Sequence, residues 1–268
     1  MPNHLGLIDH FIFMSAIDPL GADVTGTWLY VIYSVWIGFP LGVLWWIHGN
    51  YFINNARPSE RQEQLEDLRK HFLYEYYNKD RKWICLYPEG SRFYRIKKSS
   101  ENFAKKNGLP KLDHCAYPRI GAAHTIVENF GPTIENRNLT KHNKPALKYL
   151  VDVTLGYDGG VVTSMGEAFF GKWKSKELAF YFETIEMDPR WQDVDEFKKF
   201  MFERYQKKSK ILEEYYSTGK FPGPGKTVQY PNDVILIVFQ MITLIAFLVL
   251  YKICFKPILC MIYNKIFC

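Results

Sequence analysis

The stretch KWICLYPEGSR, residues 82–92, decides the fold class of this 268-residue chain. Its apolar run from Trp83 to Tyr87 is short, and Pro88 and Gly90 bound it, which is typical of a buried strand that ends in a turn. Similar strands alternate with helical patterns along the chain. The sequence therefore predicts an α/β fold with a mixed, largely parallel sheet flanked by helices.

The helices are predicted from apolar residues at helical spacing. A capping box at Ser59 and Gln62 begins an amphipathic helix, and a longer helix runs over residues 197–219. Shorter helices are predicted after Ser100 and from about Gly121. The remaining strands are predicted at residues 113–119, Tyr149–Tyr157 and Leu178–Met187.

The first hydrophobic block, residues 24–47, carries no charged residue. A proline at position 40 interrupts it. Because proline lacks a backbone donor and biases its predecessor away from helix, we predict a helix that ends near Trp36 and a buried strand over Leu41–Ile47. A membrane span, or a segment that lies shallowly in the membrane interface, is the alternative for this block.

The C-terminal tail contains a second hydrophobic block. Residues 234–251 carry no charge, and a helix of this length spans about 27 Å, close to the thickness of a hydrocarbon core. Lys252 and Lys256 follow it, and lysines at this position can extend to the lipid headgroups. We therefore predict a C-terminal transmembrane helix, with a buried core helix as the alternative. The predicted domains are an α/β domain at 1–222, a linker at 223–232 and a membrane anchor at 233–268.

The composition narrows the range of partners. A net charge of +6 suits a phosphorylated ligand or a lipid surface. No Lys/Arg stripe or nucleic-acid motif accompanies this charge, so nucleic acid is not predicted as a partner. Aromatic residues make up 17% of the chain, and they favour membrane–water interfaces as well as cores. The five cysteines show no CxxC spacing, which predicts free thiols, no disulfide framework and no metal site.

Two short motifs contain the residue types of a catalytic site. NHLGLIDH, residues 3–10, places His4 five positions before Asp9 inside an apolar run. This pair alone is weak evidence, since a lone histidine is usually structural. The second motif, YPEGSR, follows the end of a predicted strand, where α/β folds bind ligands. Its glycine permits close backbone approach, and the guanidinium of Arg92 suits a phosphate. A turn with a surface ion pair is the alternative for this motif.

The combination of NHx4D with YPEGSR, roughly eighty residues apart, resembles the lysophospholipid and glycerolipid acyltransferase family. The segments HGNYFINNAR, DRKWICLYPEGSR, FAKKNGLP, YPRIGA and YSTGKFP are similar to its lysophosphatidylglycerol acyltransferase-like branch. The resemblance covers roughly residues 3 to 226. It implies that residues 1–222 form an acyltransferase domain that lacks the usual N-terminal helix and strand, so we expect a truncated N-terminus.

This resemblance implies transfer of an acyl group from acyl-CoA to the free hydroxyl of a lysophospholipid, in phospholipid remodelling or synthesis. His4 would be the general base, and Asp9 would orient its ring and stabilise the imidazolium. No covalent acyl-enzyme is implied, since no G-x-S-x-G elbow is present. Acyl-CoA would be a co-substrate, with no other cofactor. The implied acceptor or phosphate-binding residues are Glu89, Gly90, Ser91, Arg92 and Arg57, and the implied pocket-shaping residues are Pro118 and Arg119.

Two positions depart from the family pattern. Many relatives carry an arginine at the position of Asn55, which weakens the assignment of Arg57 to phosphate binding. A surface charge that flanks a helix is the alternative role of Arg57. Ser91 replaces the common threonine and keeps its hydroxyl group. Termination of a strand is the alternative role of Pro118.

Three functions compete for this sequence. The first is a membrane-bound acyltransferase of the endoplasmic reticulum membrane, whose partners would be acyl-CoA, a lysophospholipid and the lipid bilayer. The second is a tail-anchored lipid-binding or scaffolding protein that has the same fold but little or no turnover. The third is another hydrolase or transferase that uses His4 and Asp9, but the sequence offers no recognisable nucleophile for it.

Overall fold

The computed structural model describes residues 1–21, 24, 26–174, 177–228 and 234–257. The chain divides into two compact units, Met1–Gly223 and Pro224–Cys268. The first unit contains both sheets of the described chain. The predicted linker and membrane anchor extend into residues 229–233 and 258–268, which lie outside the described residues.

Helices alternate with strands along the first unit, and this confirms the predicted mixed α/β class. Its helices and strands are α1 (Asp9–Ile17), β1 (Trp28–Tyr33), α2 (Pro40–His48), β2 (Tyr51–Ile53), α3 (Arg61–Asn78), β3 (Trp83–Cys85), α4 (Phe93–Lys106), α5 (Ile120–Phe130), β4 (Tyr149–Tyr157), α6 (Met165–Phe169), β5 (Leu178–Glu186) and α7 (Val194–Thr218).

The strands form two sheets. A three-stranded parallel sheet has the order β2-β1-β3, so β1 is its central strand. Strands β4 and β5 form a separate antiparallel pair in which Tyr149 lies opposite Glu186 and Tyr157 opposite Leu178. The predicted parallel sheet is confirmed, although the longest ladder of the described residues is antiparallel.

The main hydrophobic core lies where α3, α5 and α7 contact strand residues of both sheets. Leu29 of β1 and Leu150 of β4 are buried in it. Apolar residues at helical spacing on the three helices fill the remainder, as the sequence pattern predicts. The buried helical side chains of this core include Leu68, Phe72, Ile126, Val127, Phe130, Phe197, Met201, Tyr205 and Leu212.

The prediction for the first hydrophobic block is wrong in both halves. The segment predicted as a helix forms strand β1 and a 3₁₀ turn, Ser34–Gly38, and the predicted strand Leu41–Ile47 lies within helix α2. Pro40 is the first residue of α2, a position where the missing N–H would have no partner in any case. Gly49 ends the helix with a left-handed backbone, φ 101°. The proline therefore begins a helix here instead of separating a helix from a strand.

The strand predicted over residues 113–119 is also absent among the described elements. The backbone N–H of Ala116 donates to the side chain of Glu89, and that of Arg119 donates to the carbonyl of Pro88. These donors are thus paired with the turn after β3 and not with a neighbouring strand.

The second unit contains helix α8 (Val234–Leu250), followed by a π-helical turn, Tyr251–Phe255. Within the described residues, no helix combines the length and the apolar character that crossing a bilayer requires. The predicted transmembrane helix is therefore not found.

Candidate active site

Asn3 fixes the loop that carries His4. Its side chain is fully buried and bonds to both backbone groups of one residue in β4, Leu155. The Asn3 Oδ1 atom accepts from the Leu155 N–H at 2.7 Å, and Nδ2 donates to the Leu155 carbonyl at 3.1 Å. These contacts explain why the NHx4D motif begins with asparagine, because an amide side chain provides both a donor and an acceptor.

His4 and Asp9 form a hydrogen-bonded pair, with 3.0 Å between His4 Nδ1 and Asp9 Oδ2. The same Oδ2 accepts from the backbone N–H groups of Leu5 at 2.6 Å and Gly6 at 2.8 Å. The other oxygen, Oδ1, accepts from the hydroxyl of Tyr157 at 2.6 Å. Since Asp9 only accepts, Nδ1 carries the ring proton and the lone pair lies on Nε2.

The loop packs tightly around the Asp9 carboxylate. Burial, and then the charge of Asp9, raise the pKa of Tyr157 above its ordinary value, so its phenol stays protonated and remains a donor. A Cβ atom at Gly6 would lie 2.7 Å from a side-chain carbon of Val162 and 3.3 Å from Asp9 Oδ1. A glycine is therefore required for this close approach.

Glu89 links the His4 loop to the segment before α5. Its Oε1 accepts from the backbone N–H of His4 at 2.9 Å, and its Oε2 accepts from that of Ala116 at 3.0 Å. Burial raises the pKa of Glu89 to about 8, against the lowering effect of these two hydrogen bonds. The side chain is fully buried, so both its oxygens contact protein backbone, where the sequence predicted contact with an acceptor.

Gly90 and Arg119 lie against each other. Gly90 has φ +70°, a conformation that favours glycine, and a Cβ atom there would lie 3.0 Å from Arg119 Cδ and 3.2 Å from its Nε. The Arg119 N–H donates to the Pro88 carbonyl at 2.7 Å. The YPEGSR turn and the YPR segment therefore form one surface.

A cavity of about 960 Å³ adjoins these residues. His4, Gly90 and Arg119 line it, together with Arg61 from the first turn of α3. Its volume is within the range of small-molecule sites. The arrangement places an imidazole beside an apolar chamber with two guanidinium groups on its wall. Aromatic lining residues are Phe11, Tyr33, Trp36, Trp45 and Tyr87.

The structure separates the predicted phosphate-binding residues. The guanidinium of Arg92 lies 5.4 Å from the centre of the Tyr94 ring, and Arg57 is exposed with its Nε 3.4 Å from Glu60 Oε1. Neither arginine is among the described residues that line the cavity, and the same holds for Ser91 and Pro118. Arg119, predicted to shape the pocket, does line it.

Three residues of this region were missed by sequence reasoning. Tyr157 ends the strand predicted at that position, but no sequence pattern pairs a strand end with a loop more than 140 residues earlier. Arg61 lies between the two residues of the predicted capping box, Ser59 and Gln62, and looks like an ordinary surface charge in the sequence. His10 lines the cavity, and burial, with the nearby His4 as a smaller cause, lowers the pKa of His10 to about 3, so it stays neutral.

The fold and this site together define an α/β protein with an imidazole–carboxylate pair beside a large, mainly apolar cavity. A family described as acyltransferase C-terminus matches residues 168–242. A putative 1-acyl-sn-glycerol-3-phosphate acyltransferase of Caenorhabditis elegans, acl-12, is 42% identical over 237 residues, which cover 87% of this chain and 60% of the relative.

Two further relatives are acyl-CoA:lysophosphatidylglycerol acyltransferases 1. The Mus musculus protein is 30% identical and the Homo sapiens protein 29%, over 68% and 69% of this chain and 51% of each relative. The chain belongs to the lysophospholipid and glycerolipid acyltransferase family. It spans between 51% and 60% of the length of these relatives.

Proposed function

We propose that the chain transfers an acyl group from acyl-CoA to the free hydroxyl of a lysophospholipid, at the endoplasmic reticulum membrane. The observation that carries this proposal is the His4–Asp9 pair, 3.0 Å between Nδ1 and Oδ2, whose histidine lines the same cavity as Gly90 of the second motif. The names of the mouse and human relatives give acyl-CoA and lysophosphatidylglycerol as the reactants of those proteins.

The pair fits general base catalysis. The Nε2 lone pair of His4 takes the proton of the acceptor hydroxyl while its oxygen attacks the thioester carbonyl carbon. The tetrahedral intermediate collapses, the carbon–sulfur bond breaks, and the imidazolium returns the proton to the leaving thiolate. The buried carboxylate of Asp9 stabilises the imidazolium that exists between these two transfers. The products are a diacyl phospholipid and free CoA.

The cavity wall suits the rest of the substrate. Arg61 and Arg119 are the arginines among the described residues that line the cavity, and a guanidinium binds a phosphate through two parallel hydrogen bonds. The aromatic side chains of the same lining provide an apolar surface for an acyl chain. We therefore assign the acceptor phosphate to Arg119 and Arg61, in place of the predicted Arg92 and Arg57.

The test is transfer of labelled acyl groups from acyl-CoA to a panel of lysophospholipids that differ in headgroup. We expect His4→Ala to lower turnover on the order of a hundredfold to ten-thousandfold, the usual contribution of a general base. His114→Ala, outside the described cavity lining, is the matched control and keeps the wild-type rate. Equal incorporation by wild type and His4→Ala would remove the proposed base.

The same assay separates the binding roles. Arg119→Ala should raise the KM for the lysophospholipid and leave the KM for acyl-CoA nearly unchanged, whereas Arg92→Ala should change neither by much. If Arg92→Ala weakens the acceptor more than Arg119→Ala does, the assignment made from the sequence is the better one. A wild-type chain that binds lysophospholipid but incorporates no label into any acceptor would support the lipid-binding alternative.

A further inference from the structure

The segment after β1 exposes a large apolar surface. Eight large apolar residues between positions 33 and 47 have 45–67% of their surface exposed, and no charged residue occurs between positions 24 and 47. We call these residues the apolar surface. They are Tyr33, Val35, Ile37, Phe39, Val43, Leu44, Trp46 and Ile47.

Helix α2 makes up half of this surface and is unusual for a helix of a water-soluble domain. Its buried residues, Gly42 and Trp45, face the protein. Its outward side carries Val43, Leu44, Trp46 and Ile47, where a helix exposed to water normally carries charged or polar residues. The helix is therefore apolar on both sides.

The size of the apolar surface exceeds what scattered exposure explains. Three of the eight residues are aromatic, and an aromatic side chain offers roughly 150–250 Å². Together with five aliphatic residues that are also about half exposed, the exposed apolar area is on the order of several hundred Å². The largest apolar patch of a typical monomer is about 300–600 Å² and often marks an interaction site. A patch of this size that lies within one short segment is typical of an interaction site.

We propose that the apolar surface docks this unit onto a lipid bilayer and inserts Trp46 at the membrane–water interface. This inference rests on the proposed function, because its substrates are lipids that reside in a bilayer. Tryptophan and tyrosine favour the interface, where the ring is apolar and one polar atom stays wet. The net charge of +6 favours anionic headgroups.

Continuity with the cavity favours a bilayer over a second copy of the chain. Tyr33 belongs to the apolar surface and also lines the cavity, and Trp36 and Trp45 of the same segment line it as well. An acyl chain that leaves a bilayer covering this surface would pass directly along aromatic side chains into the cavity. A protein partner on the same surface would give no such route.

Tryptophan fluorescence tests this surface directly. All seven tryptophans lie between positions 28 and 191, so the second unit contributes no signal even if it also binds the membrane. The full chain is mixed with vesicles of phosphatidylcholine and phosphatidylglycerol in equal parts, with brominated acyl chains that quench tryptophans at membrane depth. Trp46 is 67% exposed, and Trp173, which is 40% exposed outside the segment, is the matched control.

We expect the wild-type chain to be quenched, Trp46→Phe to lose most of this quenching, and Trp173→Phe to keep it. An unquenched wild type, or Trp46→Phe quenched like wild type, overturns the proposal. It is also overturned if the chain is a dimer without vesicles and Leu44→Glu makes it monomeric, because the surface is then a self-interface. If the wild-type tryptophans are quenched as expected but no acyl group is transferred, the proposed membrane surface stands and the proposed function is wrong.

Discussion

Two aspartates, Asp9 in the candidate site and Asp152 in β4, are both buried but are held in opposite ways. Asp152 Oδ1 accepts from Lys208 Nζ at 2.7 Å, and its Oδ2 accepts from Arg204 at 2.8 Å. Asp9 accepts from two backbone N–H groups, one phenol and the ring of His4. Among the described residues, no lysine or arginine contacts Asp9.

The difference shows which carboxylate is structural. Asp152 is paired with two cationic side chains, and although burial alone would raise its pKa, Lys208 and Arg204 hold the pKa of Asp152 below its ordinary value. Among the described residues that hydrogen-bond to Asp9, the only side chain that can gain a positive charge is the imidazole of His4. In the proposed mechanism this carboxylate would stabilise an imidazolium that forms only during turnover.

Replacing each aspartate by asparagine should affect turnover in one case and stability in the other, and among the tests of this comparison it should have the largest effect. Asp9→Asn keeps the shape and an acceptor oxygen but loses the charge, so turnover should fall on the order of a hundredfold or more. The melting temperature should change little. Acyl transfer and thermal unfolding of both variants are the measurements.

Asp152→Asn is the matched control for Asp9→Asn. It should keep most of the turnover per folded molecule and lower the melting temperature, because Lys208 is then left buried without its carboxylate partner. If Asp9→Asn is as active as wild type, or if Asp152→Asn loses turnover while it stays folded, the two roles are assigned the wrong way round.

Removing the cation from the structural pair should have the next largest effect. Lys208→Met leaves the buried Asp152 with Arg204 alone, and breaking a buried pair by removing one partner costs about 3–5 kcal/mol of unfolding free energy. Chemical denaturation measures this loss. Lys210→Met, on the exposed side of α7, is the control and should stay within about 0.5 kcal/mol of wild type. Equal stabilities of the two variants would show that the buried pair adds nothing.

Acid should weaken the same network in a gradual way. Hydrogen bonds from Arg204 and Lys207 lower the pKa of Glu183 from 4.5 to about 2 in the folded chain. A lowered folded pKa gives stability that is complete above the unfolded pKa and is lost as the pH falls from about 4.5 toward 2. Glu183→Gln should therefore flatten the fall in melting temperature over this range.

The control for this pH profile is Glu186→Gln, an exposed position on the same strand. It should keep the wild-type dependence of melting temperature on pH. A Glu183→Gln profile that runs parallel to wild type between about pH 4.5 and 2 would mean that Glu183 is not the source of the acid sensitivity.

The sequence predicted the elements whose pattern is local. Strand β4 was predicted with the same bounds as observed, and α5 and α7 were found near their predicted positions, since their apolar spacing is set by their own residues. The prediction for the segment of β1 and α2 failed because a continuous apolar run has no hydrophobic period. The proline was then the only indication of where one element ends and the next begins. Periodicity cannot distinguish a buried strand from a helix in such a run.

In the candidate site, too, the local features were predicted from the sequence and the long-range contacts were not. The spacing of His4 and Asp9 is local, and the two residues do contact each other. The contacts of Glu89 with the backbone of His4 and Ala116 depend on how distant loops meet, and a motif cannot say which side of a turn faces a cavity. For the same reason Arg119 lines the cavity whereas Arg92, in the more conspicuous motif, does not.

The smallest effect should come from an ion pair at the surface, which sharpens the contrast with the buried pair of Asp152. Arg190 and Asp188 are 2.6 Å apart, but the arginine side chain is mostly exposed. Water screens such a pair and the long side chain loses freedom, so exposed pairs contribute only about 0–1 kcal/mol. Arg190→Ala should therefore change the unfolding free energy by less than about 1 kcal/mol in chemical denaturation. A loss as large as that of Lys208→Met would mean that burial does not set the strength of these pairs.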